Sequence, residues 1–180
     1  MKKLLIVVDY QSDFVDGALG FPGAELLDAP IAGRIDACRA AGGDVAFTLD
    51  THGPDYPQTQ EGRRLPVPHC IRDTAGWALY GQVAGRLLPG DPVFEKETFP
   101  SLDLADWLRG RDYDQVELCG LVSNICVLTN AVMVKAALPE AEILVDARLT
   151  AGADRLLHEK ALDVLEGIHV TVTGRERETK

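Results

Sequence analysis

A chain of 180 residues, 46% hydrophobic and 26% charged, carries enough apolar material for one full core and too little length for two comfortable domains, so a single domain over 1–180 is expected. Lysine and arginine number 18 against 28 acids, and the net charge of −10 repels a phosphate backbone or an anionic membrane surface, which argues against nucleic acid as a partner. No apolar run approaches the roughly 20 residues of a membrane span, and the scattered Cys38, Cys70, Cys119 and Cys126 have neither zinc-knuckle nor redox-pair spacing; a cytoplasmic protein with reduced thiols and no membrane partner is expected.

Short β-branched runs alternate with helix-like stretches along the chain. Leu4 to Val8 reads as the first strand, followed by a helix from about Pro30 to Ala41 with Asp28 available as its cap, and then a strand from Asp44 to Leu49. The segment from Asp50 to about Thr74 is rich in proline and glycine and lacks a helical or strand period; a long loop of this kind inside a compact domain is usually functional. Strands are expected again at Pro92 to Glu95, Gln115 to Cys119, Ala141 to Val145 and Ile168 to Thr171, separated by helices near Leu102 to Arg109, Asn124 to Leu138 and Asp154 to Glu166. Gly167 stands where the last helix should stop, Asp154 where it should begin, and the charged Gly174 to Lys180 reads as a frayed end. This alternation predicts an α/β fold with a six-stranded parallel sheet.

In an open parallel sheet, ligands bind where the strands end at their carboxyl sides. Four such ends carry reactive residues: Asp9, then Asp50 with His52, then Lys96, and Cys126 a few residues past the fourth strand. Each alone has a bland reading, as a cap, a solvated charge or a small buried hydrophobe; their shared edge gives them meaning. A thiol opening a helix feels the positive end of the dipole, and an ammonium from Lys96 acts in the same direction, so a lowered Cys126 pKa is expected. A carboxylate from Asp9 can take the thiol proton and later deliver it to a leaving group. Cys38 and Cys119, inside helix and strand patterns, read as packing.

Asp50 and His52, two residues apart, point the same way if extended geometry persists, and can share one ion. Carboxylate and imidazole suit zinc, iron or manganese. His69, between prolines that hold the backbone extended, is the next candidate ligand; Glu61 is the least secure, and Cys70 reads as packing. The rival nucleotide folds lack support, because Asp9 to Asp13 contains no glycine and no phosphate-cradling loop appears. A phosphoacceptor signalling domain would leave the histidines and Cys126 unexplained.

Taken together, Val8 to Phe14, Thr48 to His52, Pro68-His69-Cys70, Phe94-Glu95-Lys96 and Gly120 to Val127 resemble, nearly end to end, the isochorismatase-like cysteine hydrolase superfamily and, within it, the nicotinamidases. The resemblance implies a three-layer Rossmann-like fold and a triad of Asp9, Lys96 and Cys126. It also implies a cis peptide at Leu121-Val122, with the N–H groups of Val122 and Cys126 as the oxyanion hole. The divalent metal, probed first as zinc with iron or manganese as alternatives, maps to Asp50, His52 and His69, joined by Glu61. The substrate is then a small aromatic amide, nicotinamide first, with Phe14 as an aromatic wall. The tryptophan common before the third ligand is absent, Leu65 to Pro68 standing there, and Phe99 or Trp77 takes its place. Two other readings stay open, a hydrolase of another small amide, ureido or vinyl-ether substrate, and a non-catalytic metal-binding domain. Relatives often associate, so a homo-oligomer is expected.

Overall fold

The computed structural model describes residues 1–175. Strand β1 (Lys3–Val8) lies in the middle of the sheet, between β2 (Asp44–Asp50) and β4 (Gln115–Leu121). Beyond β2 lies β3 (Val93–Lys96), and beyond β4 lie β5 (Glu142–Ala151) and β6 (Thr171–Thr173), giving the order β3-β2-β1-β4-β5-β6 with every pairing parallel. The chain therefore reverses its direction of travel between β1 and β4, the place where an open α/β sheet forms its crevice.

The two-residue period of β1 assigns its side chains to two cores. Leu4, Ile6 and Val8 pack on one face with Leu104 and Leu108 of α4 (Leu102–Leu108), Val134 of α5 (Leu128–Ala137) and Leu162 and Leu165 of α6 (Arg155–Gly167). Leu5 and Val7 pack on the other with Ile31 and Ile35 of α2 (Asp28–Ala40). The short α1 (Ser12–Val15) and α3 (Gly81–Ala84) lie in the long connections on that second side. All four cysteines are free and buried. Among the described residues, no helix is long and apolar enough to cross a membrane.

Several element ends differ from the sequence reading, each for a local reason. Asp28 does not cap α2 but is its first residue, and its carboxylate instead accepts from Gln82 N–H at 2.9 Å and Val83 N–H at 3.1 Å, capping α3. β5 runs on past Val145 because its pairing with β4 shifts register between Leu118 and Gly120, which absorbs Asp146 to Leu149 as a bulge. Asp154 does cap α6, accepting from Leu157 N–H at 3.1 Å. The helix does stop at Gly167, but the left-handed residue that closes it is His169: it takes φ 65°, while the N–H groups of His169 and Val170 reach back to Glu166 and Leu165. Those are the two bonds of a Schellman closure, and they displace the last strand from Ile168–Thr171 to Thr171–Thr173. Arg175 is not frayed but bonded to α6, 2.8 Å from both Glu159 and Asp163; the remainder of that predicted tail lies outside the described residues.

The helix expected from Asn124 to Leu138 is two elements. Ser123–Val127 forms a π turn, with Val127 N–H donating to the Val122 carbonyl and Leu128 N–H to that of Ser123, before α5 begins. Single π turns inside helices occur frequently at functional sites.

Candidate active site

The ends of β1, β2, β3 and β4 meet at one place. Register puts Asp50 opposite Lys96 and Val8 opposite both Thr48 and Gly120, so the residues that follow these strands converge without further folding. Gly120 is needed there: its φ is 108°, and a Cβ would stand 2.0 Å from the Val8 carbonyl oxygen. Asp9, the next residue after β1, has φ 46°. This left-handed conformation is uncommon outside glycine, tolerated by aspartate, and found where surrounding structure enforces it.

Lys96 lies between two carboxylates and a thiol. Its Nζ is 2.6 Å from Asp9 Oδ2, 3.0 Å from Asp50 Oδ1 and 3.7 Å from Cys126 Sγ. Asp9 Oδ1 accepts from Thr48 Oγ1 at 2.6 Å. Oδ2 is buried and accepts no hydrogen bond of ordinary geometry, close as the ammonium is. Burial would lower the Lys96 pKa, but the Asp9 carboxylate, with the Cys126 sulfur and Asp50 beside it, outweighs burial and raises it, so the lysine stays cationic. Burial raises the Asp9 pKa against the pull of Lys96.

The expected lowering of the Cys126 pKa is corrected by the site itself. The residue is only 6% exposed; burial first, and the nearby Asp9 carboxylate second, push the thiol up, and the Lys96 ammonium does not compensate. The resting sulfur is a protonated thiol within reach of a carboxylate, which suits proton removal during attack rather than a standing thiolate. The Leu121-Val122 peptide is cis. Val122 opens the π turn, its carbonyl accepting from Ile125 and Val127, and Cys126 lies within the same turn. Asn130 fixes the far side, donating to the Cys126 carbonyl at 2.8 Å and to the Phe99 carbonyl at 3.1 Å.

The second cluster is built on the other oxygen of Asp50. Oδ2 lies 3.0 Å from His52 Nε2 and 3.3 Å from His69 Nε2, and Glu61 Oε1 is 3.8 Å from each imidazole. These spacings bracket the roughly 3.4 Å edge of a tetrahedron with bonds of about 2.1 Å, the size expected of a zinc-type site. His69 Nδ1–H donates to the Val67 carbonyl at 2.8 Å, which fixes the ring with Nε2 facing Asp50, as an outer hydrogen-bond partner does for a ligating histidine. Burial would raise the Asp50 pKa, but hydrogen bonds from His52 and His69 and the Lys96 charge hold it well below the ordinary carboxylate range. Asp50, His52 and His69 thus offer converging donors, all buried, and the set fits a divalent ion. A cavity of about 280 Å³ lined by His52, Asp55, Glu61 and Glu97 opens beside it.

Of the two aromatic candidates, Phe14 contacts His69 edge-on, with ring centroids 5.6 Å apart. Phe99 is 41% exposed, and its carbonyl shares Asn130 as donor with the Cys126 carbonyl. Trp77 is pinned by its indole N–H to Thr51 Oγ1 at 2.8 Å. Sequence reasoning missed three residues. Tyr56 is fully buried, with its ring 4.6 Å from that of His52 and 5.0 Å from that of His69. Gln11 clamps Asp50, accepting from its N–H at 2.8 Å and donating to its carbonyl at 2.9 Å. Thr48 orients Asp9, and its place two residues before Asp50 on a buried strand was the available signal.

The sheet order, the crevice and the buried Asp9-Lys96-Cys126 contact define a Rossmann-like α/β protein with a hydrolase type of site. A family model for the Isochorismatase domain matches residues 3–177, and the chain belongs to that family. An isochorismatase family protein, PncA, of Bacillus subtilis (strain 168) is 34% identical over 148 residues, covering 73% of this chain and 78% of the relative. The crystal structure of nicotinamidase/pyrazinamidase PncA from Bacillus subtilis superposes with a TM-score of 0.84 at 31% identity, over 96% of this chain and 100% of that one. The pyrazinamidase of Pyrococcus horikoshii, solved in complex with zinc, superposes with a TM-score of 0.80 at 26% identity, over 96% and 99%.

Proposed function

We propose that this protein is a metal-containing cysteine amidohydrolase that converts a small aromatic carboxamide, nicotinamide first, to the acid and ammonia through a thioester. The observation that carries the reading is the Lys96 ammonium lying 2.6 Å from Asp9 and 3.7 Å from Cys126 in a buried crevice. Similarity to nicotinamidase and pyrazinamidase structures supports the choice of substrate.

Cys126 Sγ attacks the amide carbon as Asp9 takes the thiol proton; the sulfur–carbon bond forms and the carbonyl electrons move onto oxygen. The N–H groups of Val122 and Cys126 hold that oxyanion. Collapse breaks the carbon–nitrogen bond while Asp9 returns its proton to the departing nitrogen, releasing ammonia. Water then attacks the thioester, Asp9 again accepting a proton. The second collapse releases the acid, and the sulfur regains its proton from Asp9. Lys96 stays cationic throughout and balances the negative charge that passes among Asp9, sulfur and oxyanion. Asp50, His52, His69 and Glu61 would hold the metal, zinc with iron or manganese as alternatives, and a divalent ion supplies a Lewis-acidic anchor for a ring nitrogen. Phe14 walls the ring against His69.

The test is ammonia release from nicotinamide by purified protein beside Cys126→Ala. Turnover that disappears in the variant supports the nucleophile; undiminished turnover overturns it.

A further inference from the structure

Ser123 is fully buried, stands one residue after the cis Leu121-Val122 bond and three before Cys126. Its Oγ lies 2.9 Å from Nδ1 of the half-buried His158 on α6, one hydrogen bond whichever partner carries the proton. The hydrolytic scheme uses neither residue. Two features show that the contact is built into the turn. The Ser123 carbonyl accepts the π bond from Leu128 N–H, so the main chain and the side chain of this one residue are both held. Gly152, just past β5, comes so near that a Cβ there would stand 2.7 Å from Asn124 Oδ1 and 3.2 Å from Ser123 Oγ, which leaves no room for a side chain against the pair. Burial lowers the His158 pKa, so the imidazole is neutral near pH 7 and brings no charge to the turn.

Ser123 lies between the two N–H groups assigned to the oxyanion, those of Val122 and Cys126. We propose that His158 is a positioning residue of this site, holding Ser123, and through it the 121–126 turn, so that both N–H groups face the carbonyl oxygen as negative charge develops there. The inference rests on the amidohydrolase reading above. Displacing reacting groups by about 1 Å costs on the order of 10²-fold in rate, and losing one oxyanion donor costs roughly 10²- to 10³-fold.

The experiment compares wild type, Ser123→Ala, His158→Leu, His158→Asn and the Ser123→Ala/His158→Leu double variant. Ammonia release from nicotinamide is measured beside alkylation of Cys126 by iodoacetamide. Alkylation forms a sulfur–carbon bond, expels iodide and passes the thiol proton to Asp9; no oxyanion arises. The expected result is a kcat lowered about 10- to 100-fold in Ser123→Ala, His158→Leu and the double variant alike, with KM near wild type. His158→Asn, whose amide can occupy the Nδ1 position, should keep kcat within about threefold of wild type. Alkylation should stay within about twofold in every variant, because the nucleophile and its base are untouched. Losses that multiply in the double variant, an unchanged kcat in Ser123→Ala, or alkylation that falls in step with kcat would overturn the proposal. A wild-type protein that releases no ammonia would remove the nicotinamide reading alone. Acyl transfer from p-nitrophenyl acetate to Cys126 passes through the same kind of tetrahedral oxyanion, and the same variants judged by the same criteria then decide the role of His158.

Discussion

The two ends of the sheet are opposites in chemistry. At the carboxyl end, three ionisable groups and a thiol are pressed together out of water, Asp9 holds a left-handed backbone, and one of its oxygens lacks a hydrogen bond. At the amino end, the charged groups are paired at the surface or laid on rings. Lys2 reaches Asp112 at 2.7 Å, the Arg111 guanidinium sits 3.9 Å from the Trp107 ring centre, and Tyr113 donates to Asp44 at 2.8 Å. A cavity of about 300 Å³ opens at that end as well, yet inside it Arg39 is already bonded to Asp91. Cavity size alone does not separate these ends; unresolved electrostatics does. Strained, densely charged positions reduce stability and are retained where chemistry needs them, whereas satisfied positions add to stability and nothing more.

The largest expected break in this contrast comes from Asp9→Asn and Cys126→Ala. On the proposed mechanism each should lower ammonia release by about 10⁴-fold or more, as removal of a nucleophile or its partner does in covalent hydrolases. Their melting temperatures should move by no more than about 4 °C, read by calorimetry. Leu108→Ala, in the core toward the amino end, inverts the pattern: a stability loss of about 2–5 kcal/mol by urea unfolding with kcat unchanged. Tyr113→Phe should act in the same direction with about 1 kcal/mol, the worth of one hydrogen bond. If the proposed metal site is right, His69→Ala should weaken zinc binding at least about 100-fold in a competition titration, since one of the proposed ligands is lost.

The smallest effect is a pH dependence. Burial holds the His158 pKa below its ordinary 6.5, Arg175 and Arg155 reinforcing this and Glu159 opposing it. The unfolded chain therefore binds the proton first as pH falls through 6.5. The associated stability is fully present above that value and is lost below it. Urea midpoints at about pH 7.5 and about pH 5.5 should show a drop in wild type that is smaller in His158→Asn.

Most of the architecture was legible in the alternation of β-branched runs and helical stretches, because buried parallel strands leave a compositional trace. Strand ends then exposed Asp9, Asp50, His52, Lys96 and Cys126, and the resemblance added Leu121-Val122. What stayed hidden depends on distance in space. Asp28 was legible as a capping residue, but its partner helix lies more than fifty residues away in the chain. His169 accepts the left-handed position expected of glycine because Val170, buried beneath, anchors the turn. The protonated state of the Cys126 thiol follows from burial, which no motif reports.

Asp50 was assigned in the sequence to the metal alone, yet its two oxygens serve both clusters, one toward Lys96 and one toward the imidazoles. Charge placed on either oxygen is therefore felt at the other, so the Lys96 pocket and the imidazole cluster are joined through one carboxylate. With both imidazoles removed, this buried carboxylate would keep the Lys96 ammonium as its charged neighbour on one oxygen and lose its partners on the other, and its hold on a negative charge would weaken.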